Sequence, residues 1–192
     1  MKQTKQQIKL SRFMSFALRH KPEDVDLTLD HNGWASIHEL VAAHNLQNPS
    51  TPFAVQDVLD VVRTCDKQRY SVSMDQTKIR ANQGHSIEGV DVELKETVPP
   101  SLLFHGTATR FFDVIKAEGI KKMARNRVHL SSDSRTAYEV GDRHGNALVL
   151  TIDTERMHSD GVKFWLSENG VWLTEYVDPK YILTKGIYAG NK

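Results

Sequence analysis

Between residues 83 and 100 the chain reads QGHSIEGVDVELKETVPP, and the hydrophobic pattern differs on its two sides. Before it, apolar residues recur with the period of a helix. After it, short apolar runs alternate with polar turns. The stretch opens on Gln-Gly-His-Ser and closes on Pro99-Pro100, which is extended and helix-breaking. A chain of 192 residues holds one large domain or two small ones. The change of period argues for two, residues 1–90 and 91–192, in an α+β fold.

In the first part, Leu10, Phe13, Met14, Ala17 and Leu18 recur at helical spacing. This run ends in Arg19-His20-Lys21-Pro22. Cations suit a helix C-terminus and proline often follows one, but the same pair is equally suited to face an anion. His31-Asn32-Gly33 is a turn, and Trp34-Ala35 is extended. Ser36 is a good N-cap, with Glu39 completing a capping box. Val55, Val58, Leu59 and Val62 then share one helical face. The runs QRYSVSM and KIRAN flank Asp75-Gln76-Thr77 as a hairpin. Three helices followed by a hairpin is the order of a winged helix-turn-helix, which often handles nucleic acid. A small α+β domain that shares the order is the plainer alternative.

The second part alternates strands and short helices. SLLFHGT and NALVLTID read as strands, ATRFFDVIKAEGI as a helix capped by Gly119, and RVHLSS as a strand. The runs on either side of Glu168-Asn169-Gly170 form a hairpin. There is no GxGxxG fingerprint and no GxxxxGK[ST] loop, so a nucleotide site here is neither Rossmann nor P-loop. Polar groups stand where strands meet turns in four places: His105-Gly106-Thr107, His129-Leu130-Ser131, Arg143-His144-Gly145 and Asn169-Gly170. Glycine beside histidine lets backbone N–H groups approach a ligand. Such a pocket suits a dinucleotide, although each histidine alone reads as an ordinary strand-end residue. Trp165 and Trp172 read as core, Phe111 and Phe112 as helix packing, and Cys65 as a small, partly buried side chain.

Composition narrows the class. A net charge of +1 requires any nucleic-acid contact to be a local basic patch. Nine histidines show no HExxH spacing, and one cysteine builds no cage, so no metal is expected. No apolar run has the length of a membrane span, and MKQTKQQIKLSRF lacks a secretory core. A cytoplasmic monomer with no membrane contact is the expectation.

Eight motifs occur in order between Ser15 and Val177: SFALRHKP, NGWASI, DKQRY, IRANQGHS, LFHGT, VHLS, GDRHG and ENGVWLTEYV. Together they resemble the NAD-dependent RNA 2′-phosphotransferases of the KptA-like family. The resemblance implies a winged-helix RNA-binding lobe followed by a β-rich, NAD-binding lobe like that of the ADP-ribosyltransferases. It implies that an internal RNA 2′-phosphate attacks the nicotinamide ribose of NAD. Nicotinamide leaves, and the resulting RNA-2′-phospho-ADP-ribose is resolved to plain RNA and ADP-ribose 1″,2″-cyclic phosphate. The RNA would be tRNA-like or damaged. By matching motifs, Arg19, His20, Arg69 and Arg125 form the phosphate clamp. His105, Gly106, Thr107, His129, Leu130 and Ser131 line the NAD pocket, with Arg143, His144, Asn169 and Gly170 at its edge. Gln83, Gly84 and His85 fall near the RNA phosphate, and Lys78 and Arg80 on an RNA-binding wing. Arg125 and Arg127 would alternate along a strand onto opposite faces, and spacing to VHLS favours Arg125.

Two other classes stay open. One is an ADP-ribosyltransferase acting on protein or nucleic-acid ends, for which Glu168 or Glu175 is available. The other is a winged-helix regulator with a ligand-sensing domain. Against the regulator, the third helix carries three aspartates near its one arginine, a poor surface for a major groove.

Overall fold

A computed structural model of the chain describes residues 4–87, 89, 90, 92 and 94–189. The chain forms two compact units, residues 1–93 and 94–192, each mixing helix and antiparallel sheet. No helix among the described residues is long and apolar enough to cross a membrane.

The first unit begins with α1 (Lys5–Arg19). Thr4 and Gln7 form a reciprocal capping box at its start, so two orphan N–H groups are satisfied. Leu10, Met14, Ala17 and Leu18 lie on its buried face. After a single 3₁₀ turn (Glu23–Val25), the chain enters β1 (Ala35–Ser36), α2 (Ile37–Gln47) and α3 (Val55–Arg63). Ser36 caps α2 by accepting from the Glu39 N–H at 3.3 Å. The Asp57 carboxylate accepts from the Ala54 N–H at 2.7 Å to start α3. The hairpin follows as β2 (Tyr70–Val72) and β3 (Lys78–Ala81), and β1 adds to it in the order β1-β3-β2. One apolar core joins the three helices to this sheet through Leu18, Ile37, Leu40, Val58, Val61 and Ile79.

The second unit contains β4 (Lys95–Glu96), β5 (Leu102–Ala108), α4 (Phe112–Glu118), β6 (Ile120–Lys121), β7 (Val128–Leu130) and α5 (Ser134–Asp142). It continues with β8 (Ala147–Asp153), α6 (Thr154–Ser159), β9 (Trp165–Leu166), β10 (Trp172–Thr174), β11 (Tyr176–Val177) and β12 (Ile182–Ala189). Three antiparallel sheets result, ordered β12-β8-β5, β4-β9-β10-β7 and β11-β6. A bridge between Phe104 and Ser131 ties the first of these to the end of β7. The central strand β8 is buried at six successive positions, as expected for a strand covered on both faces. Its Leu148, Leu150 and Ile152 share a core with Leu103, Leu130, Met157 and Phe164.

Three local expectations change. The helix expected over residues 108–120 opens as a 3₁₀ turn (Thr109–Phe111), because Thr109 and two adjacent aromatics make a poor first helical turn. The strand expected over 127–132 is only Val128–Leu130. Arg125 and Arg127 therefore lie in the bend before it, where strand alternation does not apply. Trp172 is buried as expected, but Trp165 is half-buried beneath the Arg127 guanidinium, 3.9 Å from the ring centre.

Gly106 has a packing reason of its own. A Cβ there would overlap the Ala137 carbonyl oxygen and crowd Gly141, so α5 sits on β5 only because the side chain is missing. This contact requires a glycine here whatever ligand the strand faces. Gly106→Ala is therefore expected to destabilise the second unit by about 3 kcal/mol, since the colliding atom is backbone and cannot swing aside. Chemical denaturation followed by far-ultraviolet circular dichroism measures this.

Candidate functional site

In the first unit the end of α1, the start of β2 and the loop after β3 converge. Arg19 is only 9% exposed, although it is the last residue of its helix. Its guanidinium donates to the Arg69 carbonyl at 3.4 Å and lies 5.9 Å from the centre of the Tyr70 ring. The Arg19 carbonyl accepts from the Ser86 N–H at 2.9 Å. The exposed imidazole of His20 meets the Ser86 hydroxyl through Nδ1 at 2.9 Å. One loop residue thus grips both members of the Arg-His pair. Ser86 lies inside the IRANQGHS motif but carries no periodic or charge signal that would mark it as a positioning residue. Arg69 is half-buried and directs its guanidinium to within 3.5 Å of the Cys65 sulfur.

The remaining sequence candidates of this unit separate. Lys78 is exposed and faces Asp30 at 3.9 Å. Arg80 is buried and stacks on Trp34, 4.6 Å from the ring centre, so it belongs to the interior rather than to a wing surface. Gln83 and Gly84 are half-buried, and Gly84 takes a left-handed φ of +87° beside the Arg19 side chain. His85 is 4% exposed, and its Nε2 has no hydrogen-bond partner among the described residues. Burial, followed by the charges of Arg19, His20 and Arg80, pushes its pKa down to about 4.

In the second unit His105 stands on β5 and His129 on β7. The His105 Nδ1 donates to the His129 carbonyl at 3.1 Å. A carbonyl only accepts, so Nδ1 carries the proton and Nε2 is the acceptor of the neutral ring. Burial pushes the His105 pKa down; the carbonyl bond opposes this, and Arg125 and His144 reinforce it. Gly106 and Thr107 are buried along the same strand. His129 donates through Nδ1 to the Arg127 carbonyl at 3.0 Å, and Leu130 is core. Ser131 makes the backbone bridge to Phe104.

Arg125 is exposed along its side chain, yet partial desolvation and the nearby Arg143 both lower its pKa. Arg143 and His144 are exposed just past α5. No carboxylate among the described residues pairs with Arg125 or Arg143, and the charge of Arg143 acts on Arg125 without a paired counter-ion. Arg127 differs. It stacks on Trp165 and approaches Glu175 at 3.5 Å, and Glu175 also meets Lys122 at 3.4 Å. Asn169 accepts from the Ser167 hydroxyl at 2.8 Å, and Gly170 closes the turn between β9 and β10.

These features define a protein with cations gathered in each unit: around a helix end in the first, and beside paired strand histidines in the second. The family described as RNA 2'-phosphotransferase, Tpt1 / KptA family, matches residues 5–176. A probable RNA 2'-phosphotransferase of Fusobacterium nucleatum is 51% identical over 176 residues, covering 91% of this chain and 97% of the relative. Relatives of the same description are 47% identical in Flavobacterium johnsoniae, covering 90% of this chain and 93% of the relative, and 44% identical in Rhodopirellula baltica, covering 95% and 98%. The chain belongs to the RNA 2′-phosphotransferase family.

The low proton affinity of His85 has a consequence for stability. Its pKa is about 4 in the folded chain, against an ordinary 6.5. Between those values the unfolded chain holds a proton that the native chain does not. Stability contributed through His85 is complete above about pH 6.5 and declines as pH falls, with about 3 kcal/mol lost below pH 4. Melting curves across this range should show a shallower dependence for His85→Gln than for the wild type.

Proposed function

We propose that this enzyme removes an internal 2′-phosphate from RNA by transferring it to NAD, releasing nicotinamide and ADP-ribose 1″,2″-cyclic phosphate. The observation that carries this is the convergence of Arg19, His20 and Arg69 at one helix end, in a chain that belongs to the family. The order of three helices with the β1-β3-β2 sheet supports reading the first unit as a winged-helix RNA-binding lobe. The antiparallel sheets joined at Phe104 and Ser131 support an ADP-ribosyltransferase-like second unit.

The chemistry explains the residue types. The RNA 2′-phosphate is already an anion, so the first attack needs no strong base. The obstacle is repulsion among that phosphate, the RNA backbone and the dinucleotide's pyrophosphate. Guanidinium groups stay charged and bind phosphate through a planar fork. The transferring phosphate is assigned to Arg19, His20 and Arg69 of the first unit, and Arg125 of the second unit is assigned a catalytic, phosphate-binding role of its own. His20, its ring oriented through Nδ1 by Ser86, is assigned proton donation to the departing 2′-oxygen.

The second unit's donor set fits NAD. His105 presents Nε2 as an acceptor for a ribose hydroxyl, and Arg143, whose charge depresses the Arg125 guanidinium, is suited to a pyrophosphate. When bound, NAD supplies a ribose carbon with nicotinamide as its leaving group. Thr107, His129, Ser131, His144, Asn169 and Gly170 are assigned to the same pocket and its edge. Engagement of Arg127 with Trp165 and Glu175 supports Arg125 as the phosphate arginine. The ion pairs of Glu175 engage one of the two carboxylates open to the alternative that modifies protein or nucleic-acid ends, leaving Glu168 as the other.

Incubation with NAD and a short RNA bearing one internal 2′-phosphate is expected to yield dephosphorylated RNA and stoichiometric nicotinamide. His20→Ala and Arg69→Ala should accumulate RNA heavier by an ADP-ribose group, seen by mass spectrometry. Ser86→Ala should do so more weakly, because it loosens the ring without deleting it. Arg125→Ala should lower the first step by about 100-fold, as loss of one fixed charge at a reacting anion does. If the His20 and Arg69 variants both resolve the adduct at the wild-type rate, the division of labour is wrong.

A further inference from the structure

We propose that the face of α1 carrying Arg12 and Ser15 is a second anion site of the first unit, taking the sugar-phosphate backbone of single-stranded RNA next to the nucleotide being processed. It rests on the assignment of Arg19, His20 and Arg69 to the reacting phosphate and extends the RNA path beyond them.

A cleft of about 270 Å³ lies there, lined by Ile8, Ser11, Arg12, Ser15, Arg69 and Tyr70. Two arginines line it, and none of its lining residues is acidic. Arg12 is exposed and Ser15 half-buried, and neither side chain has a hydrogen bond or ion pair among the described residues. The helix itself is lopsided. It carries Lys5, Lys9, Arg12 and Arg19 without one aspartate or glutamate, in a chain with 24 acidic and 25 basic residues.

Helix stability does not explain that composition. The N-terminal turn of a helix favours acidic residues, and here it holds Lys5. Lys5 and Lys9 also stand one turn apart as like charges, which is unfavourable. A polyanion lying along the helix offsets both costs.

The spacing suits a nucleic-acid strand. Arg12 and Arg19 are two helical turns apart on one face, about 10.5 Å along the axis, with Ser15 between them. That span is on the order of one to two nucleotide steps of an extended strand. Tyr70 is 4% exposed, so it forms the floor and does not stack a base, while the partly exposed Ile8 offers apolar cover for a ribose. Contacts of this kind read backbone rather than sequence.

Fluorescence anisotropy with a short single-stranded RNA lacking any 2′-phosphate, in the absence of NAD, tests the site in the full chain. Arg12→Ala should weaken binding about fivefold and make the salt dependence shallower by about 0.7, the value for one phosphate contact on a single strand. Arg12→Glu should weaken it further, Arg12→Lys should keep most of it, and a dinucleotide should not feel the change. The proposal is overturned if Arg12→Ala and Arg12→Glu both bind like the wild type. It is equally overturned if the dinucleotide loses as much as the longer RNA, or if a polyglutamate peptide displaces RNA as well as RNA does. Turnover is measured separately. Normal turnover with Arg12-independent binding removes this site and leaves the enzyme assignment. Arg12-dependent binding without turnover keeps the site and removes the assignment.

Discussion

Positive charge held at low solvent exposure is the constraint around which the first unit is arranged. Arg19 is nearly buried at the end of α1, where the macrodipole favours a cation but desolvation opposes it. The surrounding residues make the burial tolerable: a carbonyl from Arg69, the face of Tyr70, and a loop that grips the Arg19 carbonyl through Ser86. His85 shows the same field from the other side. Burial first, and then the charges of Arg19, His20 and Arg80, make it give up its own charge. A cluster of this kind is costly in an empty protein and favourable once a phosphate arrives.

The second unit handles its charge differently. Arg127 is neutralised by Glu175 and stacked on Trp165, so it is part of the scaffold. Arg125, two residues earlier, is pressed against the field of Arg143 without a paired carboxylate among the described residues. Two arginines of equal composition therefore have opposite chemical character, decided by what the neighbouring strands bring to them. The histidine pair is organised by backbone: each ring spends Nδ1 on a carbonyl, which sets the tautomer and turns the ring.

The sequence made the regular elements legible wherever a period ran long enough. The apolar stripe of α1, the face of α3, the hairpin around Asp75 and the continuous run of β8 were all readable from spacing. The first turn after Ala108 was not, because Thr109 and Phe111 oppose helix only locally. Contacts between distant residues were not legible either. Nothing near Arg127 announces Trp165 or Glu175, and nothing near Arg80 announces Trp34. For Gly106 a packing obligation to α5 went unread, since it arises from a partner over thirty residues away. The approach of Arg19 to Arg69 follows from the motifs and not from any pattern, and Ser86 between Arg19 and His20 had no signal of its own.

The buried hydroxyl of Tyr70 donates to the Ser11 carbonyl at 2.6 Å, in the middle of α1, and Tyr70 directly follows Arg69. Helix and strand are thereby pinned at one point, so the separation between the Arg69 guanidinium and the groups along α1 behaves as a fixed gauge. A fixed gauge discriminates by pitch: a repeating chain of matching interval engages several marks at once, while a compact phosphorylated metabolite can engage only one.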